Sequence, residues 1–136
     1  MAVKIRLQRA GRKKAFYYHI VIADAWSPCD GRFIKKIGYY DPTTIPASIE
    51  IKQDDAMEWL EKGAQPSPTV RRILSYKGVM YHKHLMRGIK KGVITQERAD
   101  VLTQEWTEKH RNSTLDAQKK GKSGIRHKKI KKTEAK

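Results

Sequence analysis

Val3-Lys4-Ile5-Arg6-Leu7-Gln8-Arg9, then Gly11 and Arg12-Lys13-Lys14, then Phe16-Tyr17-Tyr18-His19-Ile20-Val21-Ile22-Ala23, is the stretch on which the fold turns. Its first part alternates strictly, with apolar side chains at 3, 5 and 7. That is the period of a strand with one buried face, so Lys4, Arg6 and Gln8 share the other. Gly11 and the three cations after it read as a basic turn. Phe16 to Ala23 is aromatic and β-branched, the composition of a second and more deeply buried strand. Ser27-Pro28-Cys29-Asp30-Gly31 is dense in turn residues. Phe33 to Tyr40 reads as a third strand, closed by Asp41-Pro42 because proline cannot donate to a ladder. Ile49-Glu50-Ile51 alternates briefly and is expected to be a fourth, edge strand.

Beyond residue 52 the period becomes helical. Asp55 with Glu58 resembles a capping box, and Ala56, Trp59 and Leu60 share one helix face before Gly63. Ser67-Pro68 is a cap followed by a first-turn proline, and Val70, Ile73 and Leu74 repeat the spacing up to Gly78. Leu85, Met86 and Ile89 predict a further helix within 79–91. Thr95 is placed to cap another, whose stripe is Ala99, Leu102 and Trp106, expected to pack on the domain or on a partner. The pattern gives an α+β fold: a small mixed β-sheet of three to four strands with two helices, then a helical extension and a basic disordered tail. The expected divisions are a domain over 1–78, the extension over 79–110 and the flexible tail over 111–136.

Composition narrows the function. The 136 residues carry 30 Lys+Arg against 14 Asp+Glu, a net charge of +16, and only 38% are apolar. The longest purely apolar run is Ile20-Val21-Ile22-Ala23, whereas a membrane-spanning helix needs about 20 such residues. Met-Ala-Val-Lys-Ile-Arg at the start has no apolar core of a secretory signal. The lone Cys29 cannot staple a secreted scaffold, so a reducing compartment is expected. A charge this large repels itself unless a polyanion neutralises it, and nucleic acid is the leading partner. The charge is uneven: +7 over residues 1–40, −1 over 41–80 and +10 over 81–136, of which +8 lies in the last twenty residues.

Catalytic chemistry finds little support. Cys29 has no base in a local motif. His82 and His84 lack further ligands at metal spacing. Asp54-Asp55 sits where a helix begins and reads as capping. The glycines form neither a dinucleotide fingerprint nor a P-loop. The reading is a protein that is not an enzyme and has no cofactor, no metal and no small-molecule substrate. Phe16, Tyr17, Tyr18, Phe33, Tyr39 and Tyr40 suit a strand core with hydroxyls at the edge better than a base-stacking platform.

The cations beside ordered elements are the stronger signal. Arg6 and Arg9 lie on the first strand, Arg12, Lys13 and Lys14 in the turn, and Arg32, Lys35 and Lys36 at the third strand. Lys90 and Lys91 belong to the extension, and Lys119, Lys120, Lys122, Arg126, Lys128, Lys129, Lys131 and Lys132 to the tail. Such groups recognise phosphates and RNA shape rather than base sequence. Replacing Arg6, Arg9 or Lys13 by Ala is expected to cost affinity without unfolding the domain.

Ile5-Arg6-Leu7-Gln8-Arg9 with Gly11 and Lys13, Tyr18, Ile20 to Asp24, Asp30-Gly31-Arg32-Phe33-Ile34, Ile37-Gly38, Tyr40 and Pro42 together resemble bacterial small-subunit ribosomal protein sixteen. Trp59-Leu60, Gly63 to Pro66, Val70 and Ile73-Leu74 continue the resemblance over about residues 3–78. Val79 to Trp106 is similar to the longer C-terminal extension of Bacteroidetes-type members. The resemblance implies a cytoplasmic structural constituent of the small ribosomal subunit. Such a protein binds the 5′ domain of the small-subunit ribosomal RNA early in assembly, beside neighbouring ribosomal proteins. It carries the family's basic positions onto Arg6, Arg9, Lys13 and Arg32. Phe16 replaces the family's usual Pro, Trp26 and Cys29 replace Arg, Lys35 replaces Glu, and Asp41 replaces Asn. Trp26 is left to stack on a base or to pack on the sheet. The competing readings are a general nucleic-acid chaperone or DNA-architectural protein, and a nuclease using Asp24, Asp30 or Asp41.

Overall fold

The computed structural model describes residues 2–44 and 47–114. Along them run β1 (Val3–Arg12), β2 (Ala15–Asp24), β3 (Lys35–Asp41), β4 (Ser48–Ile51), α1 (Gln53–Glu61), β5 (Gln65–Pro66), α2 (Pro68–Tyr76) and α3 (Val79–Lys90). A fourth helix, α4, covers residues 96–114. The sheet order is β4-β3-β2-β1-β5, antiparallel throughout except where β5 runs parallel to β1. The α+β class and the mixed sheet therefore stand, with five strands among the described residues rather than three or four. The fifth has two residues, too few to show any period. It forms because Ser67 donates its amide to the Ile5 carbonyl at 2.9 Å and draws the start of α2 onto β1.

The alternation in β1 acts as expected. Val3, Ile5 and Leu7 face the helices beside Ile20 and Ile22 of β2. Ile37, Ala56, Leu60, Val70, Ile73, Leu74 and Val79 complete that core. Burying each large aliphatic side chain contributes about 1.5–3 kcal/mol, so this face holds the sheet and α1–α3 together. The register slips between Ile20 and Val21, where β3 inserts an extra residue, Ile37. The bulge lets Ile37 reach the core while Lys36 stays exposed. Gly38 follows because β4 passes very close: a Cβ there would lie 2.1 Å from the Glu50 carbonyl oxygen.

Three local expectations need correction. β1 extends through Arg12, and Arg12 pairs with Ala15 across a turn of Lys13 and Lys14. β3 starts at Lys35, because Phe33 and Ile34 belong to the segment still crossing the sheet and are exposed. The capping box does not form: Lys52 is the N-cap of α1 without a side-chain bond, and Asp55 binds Lys35 instead. Ser67 caps α2 as expected, accepting from the Val70 amide, with Pro68 in the first turn.

The extension folds back on the domain. Ala99 is buried, and the Trp106 ring lies on Gly78, whose φ of +80° ends α2 and starts α3. A Cβ on Gly78 would meet that ring at 2.6 Å. Trp106 stacks with Tyr81 (6.1 Å) and His110 (4.7 Å), and His110 meets the Tyr76 ring edge-on at 4.5 Å. Tyr76 and Thr114 share a hydrogen bond of 3.2 Å, so residues 111–114 continue the helix at the start of the expected tail.

Candidate nucleic-acid interface

The β1–β2 hairpin carries the densest group of exposed cations on ordered backbone. Lys13 and Lys14 form its turn, and Lys14 holds φ +70°, the left-handed region that L residues disfavour. Arg12, Lys13 and Lys14 are exposed and make no ion pair among the described residues. Arg9 is also exposed. It lies on the helix-facing side of β1 but nearer the hairpin, with its guanidinium 5.3 Å from the Phe16 ring centroid. Phe16, Tyr18 and Tyr40 pack on one another there, edge-on at 6.0 Å and stacked at 6.3 Å. They are half-buried, which fits the core-and-edge reading for these three, whereas Tyr17 and Phe33 are exposed.

Arg6 is used differently. It stands on the outer face of β1, where the segment 25–34 crosses over Val21 and Ala23 and leaves them buried. Its two terminal nitrogens donate to the carbonyls of Ser27 and Pro28, each at 2.7 Å. Gln8 donates to the Gly31 carbonyl at 3.3 Å. Asp24 accepts the Trp26 amide at 3.0 Å, and Ile34 donates to the Ile22 carbonyl at 2.7 Å. The planar fork of Arg6 thus fastens the loop. A polar residue on a strand's open face reads equally well as a solvent, RNA or loop contact, so sequence did not separate these uses. The loop presents Trp26 90% exposed rather than packed on the sheet, and the same loop carries exposed Arg32 and the exposed thiol of Cys29.

The other proposed positions divide. Lys36 is exposed on the outer face, across the β2–β3 pair from Val21. Lys35 lies toward α1, 2.8 Å from Asp55, and that hydrogen bond holds its ammonium above the ordinary lysine range. Lys90 binds Glu61 at 3.0 Å, whereas Lys91 is exposed at the C-cap of α3. Lys119, Lys120, Lys122, Arg126, Lys128, Lys129, Lys131 and Lys132 lie outside the described residues. His19, between Tyr17 and Lys36 on the outer face, is pushed below the ordinary imidazole range by burial and then by the Lys36 charge. Asp24 and Asp41 each cap a turn. Thr43 donates its hydroxyl and amide to Asp41 and holds that carboxyl below its usual range. Among the described residues no three His, Cys, Asp or Glu side chains gather where they could hold a metal ion, and no helix is long and apolar enough to cross a membrane. Sequence reasoning passed over Arg71 of α2 and Arg87 of α3, which line one cleft with Lys83 and His84.

Residues 9–67 match the family model for ribosomal protein S16. A small ribosomal subunit protein bS16 from Flavobacterium johnsoniae is 49% identical over 123 residues, covering 90% of this chain and 65% of that protein. The bS16 of Amoebophilus asiaticus is 51% identical over 108 residues, covering 79% of this chain and 91% of the relative. That of Flavobacterium psychrophilum is 47% identical over 121 residues, with 89% and 67% covered. The chain thus spans just under two thirds of the first of these relatives and nearly all of the second, and the similarity reaches well past the 9–67 match into the extension.

Proposed function

The chain belongs to the ribosomal protein S16 family, and we propose that it acts as a structural constituent of the small ribosomal subunit, binding the 5′ domain of the ribosomal RNA and stabilising it during assembly. The observation that carries this reading is the hairpin: Arg12, Lys13 and Lys14, with Arg9 beside them, stand exposed on a hydrogen-bonded ladder whose other end is anchored in the core. Cations on stiff backbone meet a folded RNA's phosphates without first being ordered, so less conformational entropy opposes binding. Lys36, Arg32 and Lys91 add phosphate contacts. Lys35 and Lys90 reach phosphates by exchanging their carboxylate partners. The basic residues beyond 114 add further charge. The Trp26 ring stacks on an unpaired base. The setting is cytoplasmic, and the partners are the RNA and neighbouring subunit proteins.

The test uses the full chain with a transcript of the 5′ domain and with duplex DNA of equal length at physiological salt. Preference for the transcript, together with co-sedimentation of the chain with small-subunit particles, is expected. Equal affinity for both nucleic acids, with no co-sedimentation, would transfer the chain to the DNA-architectural or chaperone reading.

A further inference from the structure

A cleft of about 570 Å³ opens between α2 and α3, floored by Gly63 to Pro66 where the chain leaves α1 and enters β5. Arg71 enters it from α2, and Lys83, His84 and Arg87 from one side of α3. Among the described residues no carboxylate lines it. On the neighbouring α1, Glu58 pairs with Lys62 and Glu61 with Lys90, while the exposed Asp54 sits in the first turn, at the end of α1 away from Leu60 and the cleft. Lys83 donates to the Leu60 carbonyl at 3.0 Å, which ties α3 to the C-terminal end of α1 and fixes one wall. Arg71, His84 and Arg87 are exposed and make no side-chain hydrogen bond or ion pair among the described residues. A concave wall of cations without counter-charges focuses positive potential.

Position separates this cleft from the hairpin. Gln65 pairs with Lys4 at the start of β1, whereas the basic turn follows Arg12 at its other end. Eight residues of strand span roughly 27 Å. That is about three Debye lengths at physiological salt, so the two groups of cations act separately.

We infer that this cleft is a second anion site that takes the phosphodiester backbone of an RNA segment other than the one at the hairpin, so that the extension's α3 completes a two-point clamp. The inference rests on the RNA-binding reading above. Arginine forks suit phosphate oxygens, and the cleft offers two of them, with His84 one helical turn from Arg87. Its assembly depends on tertiary structure, because Arg71 sits in the stretch of net charge −1 and its partners lie twelve to sixteen residues further on.

The test measures binding of the full chain to a transcript of the 5′ domain across a salt series, comparing the unaltered protein, R71A/R87A, R71K/R87K and the hairpin variant R12A/K13A/K14A. The expected result is an affinity loss of about tenfold or more for R71A/R87A. Its salt slope should also be smaller by about two, and R71K/R87K should recover that slope. The effects of the cleft and hairpin variants should add, because the sites are far apart. If the unaltered chain binds and the hairpin variant weakens it, but R71A/R87A changes neither affinity nor slope, the cleft is no RNA site. Should R71A/R87A then lose contact only with an acidic neighbouring protein in small-subunit particles, the RNA assignment of the cleft is likewise overturned. If the unaltered chain does not bind the transcript at all, the functional reading and this inference fall together.

Discussion

Replacing Arg6 by Ala strips both donors from the carbonyls of Ser27 and Pro28 and uncovers the loop's inner side. The expected cost is about 1–3 kcal/mol, seen as a lower midpoint in urea unfolding, with faster amide exchange confined to residues 25–34. Arg6→Lys should restore it only in part, since an ammonium lacks the fixed fork whose two terminal nitrogens each reach one carbonyl. Arg9→Ala, by contrast, should leave stability within about 0.5 kcal/mol because its side chain is exposed. His19 gives the pH dependence at this scale. Its imidazole is held below its ordinary value of 6.5 in the fold, so the native state resists protonation. Stability from this residue is therefore fully present above pH 6.5 and is lost as the pH falls below it. Thermal midpoints of the native protein and His19→Gln, measured from pH 7.5 to 5, should show the native protein losing stability relative to the variant as the pH falls; parallel curves would contradict the assignment. The different uses of Arg6 and Arg9 were not legible in sequence. Both are cations on one strand, and only the register and the loop over one face distinguish them.

At the scale of elements, the strands with a clean two-residue period, and the helices with a capping signal or a glycine stop, were legible. β1, β4, α1, α2 and α3 contain the segments that alternation or i, i+3, i+4 spacing marks, and β2 contains the one its aromatic and β-branched composition marks. Features that depend on a neighbour were not. The bulge at Ile37 answers to β2 and β4 together, β5 exists through its bonds to β1, and Asp55 turns from capping to Lys35 because β3 passes alongside. The extension was half legible. Ala99, Leu102 and Trp106 announced an amphipathic helix, but not the surface it would meet. Gly78 is the point of attachment, since it supplies both the left-handed turn and the flat seat for Trp106. Gly78→Ala should therefore cost more than the roughly 1 kcal/mol expected of a left-handed alanine. Trp106→Ala should cost about 2 kcal/mol, less than for a fully buried tryptophan because the ring is half-buried. Both should raise amide exchange across residues 96–114 while leaving β1–β3 protected. Equal protection of α4 in both variants would show that it docks by other contacts.

For the whole molecule, the net charge of +16 resolves into surfaces of different kinds. One is the hairpin end of the sheet, rigid and rich in exposed cations. A second is the α2–α3 cleft, invisible to a residue count because its arginines come from separate helices. Other cations counted in the total, Arg6, Lys35, Lys62 and Lys90, belong to neither surface and are bonded within the free protein. The identity of the family was legible from ordered motifs, whereas the division of its charge between clamp, ion pair and exposed contact needed the fold. The central claim is that exposed cations on the stiff hairpin dock this chain on ribosomal RNA. It is tested most directly by the salt dependence of binding to the 5′-domain transcript for R12A/K13A/K14A, with urea unfolding as the control. The account predicts unchanged stability, an affinity more than about tenfold weaker and a salt slope smaller by about three; an unchanged affinity and slope in a folded variant would contradict it.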